Sequence, residues 1–203
     1  MSDLQCAARL FLARHGEAEY ESELLSDAGG SLSRAGRRQS RELAESLRGE
    51  RISRVFTSSL ARAVQTAEIA AGVLGLDDVV VRNGLRELGV GVHAGRPEEP
   101  DPFRPTFERW LDGDLDARID GAESGTEVVA RVRQELELVV DQHRGESVLV
   151  VSHGGAICTA VPALARNLAP RYPEGRTLPN CGVVELEADA DGWRAVAWVG
   201  TPV

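Results

Sequence analysis

Apolar positions along this chain fall into short compact runs that alternate with stripes at helical spacing. Arg9 to Arg14 (RLFLAR) is such a run, and it ends at a charged His-Gly pair. That pattern predicts a buried strand that delivers residues to its C-terminal end. A polar loop from Glu17 to Ser31 follows. Ser33 can cap a helix running to about Arg48, with Gly49 as its stop and Leu43 and Leu47 facing inward. Ile52 to Thr57 reads as a second strand. Ser58 or Ser59 can cap the next helix, on which Leu60, Val64, Ala67 and Ala71 recur at helical spacing. Gly72 and Gly75 mark its end, and Val79 to Val81 form a short third strand.

Between Leu85 and Gly125 the periodicity weakens. Pro97, Pro100, Pro102 and Pro105 exclude a long regular element there. A short helix around Thr106 to Leu111 is expected, inside a lid-like excursion at about 93–121. Ser124-Gly-Thr-Glu127 is a capping box that opens a helix carrying Val128, Val132, Leu136, Val139 and Val140. His143 and Arg144 fall in its last turn, where positive charge suits the dipole, and Gly145 ends it. Val148 to Ser152 is again a strand ending at His-Gly-Gly. A helix follows, which Pro162 should kink or divide. Val183 to Leu186 and Ala195 to Val199 finish as two strands, paired antiparallel across a turn at Asp189 to Gly192. Strands and helices thus alternate through one 203-residue domain, which argues for an α/β fold with a largely parallel sheet and helices on both faces.

The composition narrows the chemistry. With 32 acidic and 23 basic residues, the formal charge is -9, and no basic block is long enough for a nucleic-acid surface. An anion site would have to be locally basic. The three cysteines, Cys6, Cys158 and Cys181, are odd in number and form no CxxC, so neither a disulfide framework nor a zinc ribbon is expected. Cys158 lies in an apolar run and reads as a buried structural thiol. Met1 to Arg9 lacks a basic segment followed by an apolar stretch, and no apolar run approaches the ~20 residues of a membrane span. A cytoplasmic protein without membrane or nucleic-acid partners is expected, as a monomer or homodimer.

In a parallel sheet flanked by helices, ligands bind outside the carboxyl ends of the strands. Arg14-His15 and His153 each follow such an end, so this topology sets them on one rim although they are far apart in sequence. Arg62 falls in the first turn of a helix, and Leu85-Arg86-Glu87-Leu88 delivers a carboxylate. Phosphoryl transfer to a protein nucleophile needs these groups. A neutral imidazole attacks in line. Guanidinium forks hold the equatorial oxygens, and an acid protonates the leaving oxygen. No Asp/His cluster has metal-ligand spacing.

The ordered set of motifs resembles the histidine phosphatase superfamily, the phosphoglycerate-mutase-like proteins. It comprises Arg14-His15-Gly16-Glu17, Leu32-Ser33-Arg34-Ala35-Gly36 with Gln39, Ser58-Ser59-Leu60-x-Arg62-Ala63-x-Gln65-Thr66-Ala67, Leu85-Arg86-Glu87, Ser152-His153-Gly154-Gly155 and Leu178-Pro179-Asn180-Cys181. The resemblance implies a three-layer α/β/α sandwich. It also implies a phosphohistidine at His15, phosphate binding by Arg14, Arg62 and His153, and Glu87 as the acid, with no cofactor and no metal. Glu21, His93 and Asn180 are candidate substrate contacts, and a small phosphorylated metabolite is the expected partner.

The chain also departs from the family pattern. Ala18 and Glu21 stand where many members have Ser or Thr and then Asn. Gly91-Val92-His93-Ala94-Gly95 replaces the common Gly-x-Trp-Glu-Gly, and the basic insertion with which cofactor-dependent mutases grip phosphoglycerate is not evident. These features favour hydrolysis of a small phosphate monoester. A phosphoglycerate-type mutase and a non-catalytic phosphate-binding module are the alternatives.

Overall fold

The computed structural model describes residues 7–20 and 22–203; Cys6 and Glu21 lie outside the described residues. Its strands are β1 (Ala8–Arg14), β2 (Ala18–Glu19), β3 (Ser31–Leu32), β4 (Ile52–Thr57), β5 (Val79–Val81), β6 (Ser147–Ser152), β7 (Val183–Asp189), β8 (Gly192–Trp198) and β9 (Thr201–Pro202). Its α-helices are α1 (Arg34–Ser46), α2 (Ala61–Leu74), α3 (Arg104–Leu111), α4 (Gly125–Gln142) and α5 (Gly154–Leu164). The main sheet runs β5-β4-β6-β1-β7-β8-β9. Its first four strands are parallel, and β7, β8 and β9 continue it antiparallel.

Alternation along each central strand explains the layers, because successive side chains point to opposite faces. Leu10 and Leu12 of β1, with Val148 and Val150 of β6, pack against α4 and α5. Phe11 and Ala13, with Leu149 and Val151, pack against α1 and α2. Both faces are covered, so these strands are apolar in their interiors, and the fold is the expected α/β sandwich. The excursion builds a small cluster of its own around Trp110, Ala117 and Ile119.

Several local expectations are met atom by atom. Ser33 Oγ accepts from Gly36 N at 3.0 Å and caps α1. The Ser124–Glu127 capping box is complete. Gly75, at φ 74°, closes α2.

Others are corrected. The N-cap of α2 is Leu60, with no side-chain cap; the Ser58 hydroxyl, ahead of the cap position, lies against His153 Nε2 and accepts from Leu60 N. On α2 and its cap the predicted Leu60, Ala67 and Ala71 are buried, joined by Ala63 and Ala70, but Val64 is only half-buried. Gly49 does not stop α1. That helix ends at Ser46, and Gly49 sits inside a short 3-10 turn closed by the left-handed Arg51. His143 and Arg144 lie just beyond α4, paired with Glu146 and Asp141. Helix α5 runs through Pro162 as one element and ends two residues later, so the lost backbone bond falls in its final turn.

Leu136 is fully buried between α4 and the sheet. Leu136→Ala should lower the unfolding free energy by about 2–5 kcal/mol, read as a fall in the urea midpoint at unchanged slope.

Candidate active site

Adjacent parallel strands bring the two motif histidines together. Arg14 pairs in register with Ser152, so His15 and His153 leave β1 and β6 side by side. Their ring centroids are 5.1 Å apart. His15 N donates to Ser152 O at 3.0 Å, and Asn180 Nδ2 donates to His15 O at 3.1 Å. Cys181 adopts a left-handed φ of 58° and donates its N–H to the carbonyls of both Arg14 and His15. The backbone beside the imidazole is therefore fixed from two directions.

The side chain of His15 is fixed as well. Nδ1 lies 2.7 Å from Gly16 O, a carbonyl that can only accept, so Nδ1 carries the proton and Nε2 keeps its lone pair. Arg62 Nε donates to that Nε2 at 3.1 Å. Burial lowers the His15 pKa from 6.5 to about 4; the Gly16 bond opposes the shift, and the Arg62 and Arg14 charges add to it. His153 is fully buried and is also held well below the usual range, first by burial and then by Arg62, His15, Arg131 and Arg14. Both rings are neutral near pH 7 although two guanidiniums stand beside them. Ser58 Oγ lies 2.6 Å from His153 Nε2.

Two buried nitrogens in this cluster have no partner among the described residues, Arg14 Nε and His153 Nδ1. The rest of Arg14 is tethered through its NH1 to Leu178 O at 2.8 Å. Buried polar nitrogens left unpaired are costly, so each invites a partner. Together with the Arg62 fork, Arg14 Nε is a donor suited to an oxyanion, and His153 Nδ1 is one in the tautomer that protonates it.

Glu87 is anchored at the start of α5. Its Oε2 accepts from Gly155 N at 3.0 Å, and its Oε1 accepts from Ala156 N at 2.9 Å and Leu88 N at 3.0 Å. Arg14, His15, Arg62 and Glu87 line one cleft of about 750 Å³.

The remaining motif residues support this arrangement. Gly16 N donates to Thr66 Oγ1, which itself donates to Arg62 O, so α2 is tied to the His15 turn. Glu17 Oε1 accepts from the Ser33 hydroxyl, and Gln39 accepts from Glu17 N. A Cβ at Gly36 would run into the Glu17 carbonyl. Among the described residues, no group of three or more His, Cys, Asp or Glu side chains could hold a metal ion, and no helix is long and apolar enough to cross a membrane.

A family model described as the histidine phosphatase superfamily (branch 1) matches residues 10–201. The chain belongs to the histidine phosphatase superfamily. It is 32% identical over 197 residues to a probable phosphoglycerate mutase GpmB of Yersinia enterocolitica, covering 94% of this chain and 90% of that one. A mycobacterial glucosyl-3-phosphoglycerate phosphatase, solved with VO3, superimposes with a TM-score of 0.78 at 26% identity, over 94% of this chain and 98% of that one. A phosphoserine phosphatase mutant from Entamoeba histolytica, solved with phosphoserine, has the same fold, with a TM-score of 0.76 at 22% identity over 95% and 97% of the two chains.

Of the residues the motifs single out in this histidine phosphatase, Arg14, His15, Arg62 and Glu87 line the cleft, whereas His153 is fully buried and does not. Asn180 does not line the cleft; its amide is committed to the His15 backbone. His93 stands edge-on to Phe103 at 5.6 Å, and Phe103 lines the cleft where His93 does not. Arg104 and Arg109 of the excursion pair with Glu108 and Asp114, and neither they nor Arg96 lines the cleft.

The motifs did not disclose Arg131. From α4 it donates to the carbonyls of Gly84 and Arg86 at 2.8 and 2.7 Å, which fixes the segment bearing Glu87. Nothing in the helical pattern of α4 marks that arginine. Gly29 was also missed. At φ +67° a Cβ there would overlap the Arg62 guanidinium.

The His15 ring should titrate with a midpoint near 4 by NMR, assigned by loss of its resonance in His15→Asn; a midpoint near 6.5 would contradict the buried, neutral ring. The unfolded imidazole protonates first as pH falls below 6.5, so His15 costs the fold stability between pH 6.5 and 4, and the loss should be shallower in His15→Asn. Gly29→Ala should displace Arg62 and reduce kcat/KM for p-nitrophenyl phosphate by about tenfold or more, with a smaller effect on thermal stability.

Proposed function

We propose that this chain is a metal-independent phosphatase that hydrolyses a small phosphate monoester through a phosphohistidine on His15. The observation that carries the reading is the bond from Nδ1 to Gly16 O, which leaves a neutral Nε2 lone pair beside the Arg62 fork.

In this reading the Arg62 fork holds the phosphoryl oxygens together with Arg14 Nε and His153 Nδ1, the two nitrogens that otherwise lack partners among the described residues. If Ser58 donates to His153 Nε2, His153 Nδ1–H is free to donate to the phosphoryl group. His15 Nε2 attacks phosphorus as the bond to the leaving oxygen breaks, and protonated Glu87 gives that oxygen its proton. Oε1 of Glu87 already takes two backbone N–H groups and Oε2 only one, so Oε2 is the oxygen with room for the proton. Water then attacks the phosphohistidine, Glu87 accepts its proton, and the P–N electron pair returns to Nε2. The guanidiniums supply positive charge at the phosphoryl oxygens, the role a metal ion fills in other phosphoryl-transfer sites.

The curated relatives named as mutases favour a second reading, in which the phosphohistidine returns its group to another hydroxyl of the same sugar acid. The mycobacterial neighbour is named as a phosphatase. The cleft favours hydrolysis, because among the described residues Arg14 and Arg62 are the only arginines that line it and no further cation is placed for a second acidic group.

Purified protein should release phosphate from p-nitrophenyl phosphate in EDTA at an undiminished rate, and His15→Ala should lose at least about a thousandfold. Unchanged turnover in His15→Ala would overturn the assignment. Interconversion of 3- and 2-phosphoglycerate that depends on a bisphosphate primer and outpaces phosphate release would establish the mutase.

A further inference from the structure

The cleft is much larger than the group it is proposed to transfer. A phosphoryl group occupies on the order of 100 Å³ at the packing of liquid water, whereas the cleft measures about 750 Å³. Most of the space therefore faces the leaving group. Its lining there includes the apolar Leu24, Leu25, Leu88, Val90, Phe103 and Phe107, beside Tyr20 and the hydroxyl-bearing Ser22 and Ser26. Among them stand the carboxylates Glu23, Asp27, Glu98 and Glu99. Arg14 and Arg62 are the only arginines that line the cleft, and both belong to the phosphoryl end. The chain contains no lysine, and residues 1–6 and 21 include no arginine.

This outer wall is built rather than loose. Leu25 N donates to Arg96 O and Gly95 N donates to Leu25 O, both at 2.9 Å, while Leu24 bridges Pro97. Asp27 Oδ1 accepts from Val90 N at 2.7 Å. The loop after β2 and the start of the excursion are thus zipped into one seam, which places the carboxylates along the mouth. A carboxylate or second phosphate on the leaving group would meet like charge with no counter-cation. An aryl or alkyl face would bury apolar surface there.

We infer that the cleft selects phosphate monoesters whose leaving group is bulky, apolar-faced and free of negative charge. The selection is made by the seam of residues 24–27 and 95–99 with Phe103 and Phe107 opposite, and it rests on the phosphatase reading of the site. The chemistry that feeds such a site is the phosphorylation of an uncharged alcohol.

The test compares 2-phenylethyl phosphate with 3-phosphoglycerate. Both are esters of primary alcohols, so leaving-group activation does not decide the outcome. At low salt kcat/KM for 2-phenylethyl phosphate should exceed that for 3-phosphoglycerate at least tenfold. The ratio should narrow at least threefold in 1 M salt, where the Debye length falls to about 3 Å, and likewise in Glu98→Gln/Glu99→Gln. Equal or reversed rates, or a ratio that neither salt nor the double variant moves, would overturn the inference while His15-dependent turnover of p-nitrophenyl phosphate keeps the phosphatase reading. If no ester is hydrolysed, both readings fall together.

Discussion

The site depends on keeping one imidazole uncharged beside two guanidiniums. In water the positive neighbours would matter little, and an exposed histidine would titrate near neutrality. Here burial withdraws the ring from solvent, the Gly16 carbonyl accepts the Nδ1–H hydrogen bond, and Arg62 faces the remaining lone pair. Without the tautomer fixed in this way, Nε2 would carry a proton and meet the guanidinium as donor against donor.

The rest of the fold follows from holding that geometry. Two neighbouring parallel strands in the sheet interior place His15 and His153 side by side, and the strand on the other side of β6 ends at Thr57, just before Ser58, which contacts His153. The start of α2 brings Arg62 in from one layer, and the start of α5 holds Glu87 on the other. The segment 178–182 crosses the end of β1 and secures it through Arg14, His15 and Cys181, at the expense of a strained backbone angle. Arg131 does similar work for the Glu87 segment, from a helix that contributes nothing else to the cleft.

Much of this was legible in the sequence. The central strands β1 and β6 are apolar in their interiors because both faces are covered, and each ends at a His-Gly break, so they stood out; β4, read from Ile52 to Thr57, has a shorter buried run, Val55 to Thr57, before Ser58. The phosphoryl-end residues were legible because they occur in short ordered motifs. Residues that act through backbone geometry were less so. Gly29 matters because of the space Arg62 needs, and Arg131 because of carbonyls 44 to 47 positions away. The helix starting at Ala61 was misread at its cap because the cap position is Leu60, while Ser58 bonds Leu60 N and a distant histidine. The excursion was visible as an irregular, proline-rich segment, but its pairing with the loop after β2 depends on backbone hydrogen bonds that carry no side-chain pattern.

The account stands on which nitrogen of which histidine becomes phosphorylated. The most direct measurement is to quench the enzyme within one turnover of a phosphate ester and locate the label under alkaline conditions, by phosphorus NMR and tandem mass spectrometry. The account predicts an acid-labile phosphoryl group on Nε2 of His15. Phosphate on Nδ1, on another residue, or on no residue while turnover proceeds would contradict it.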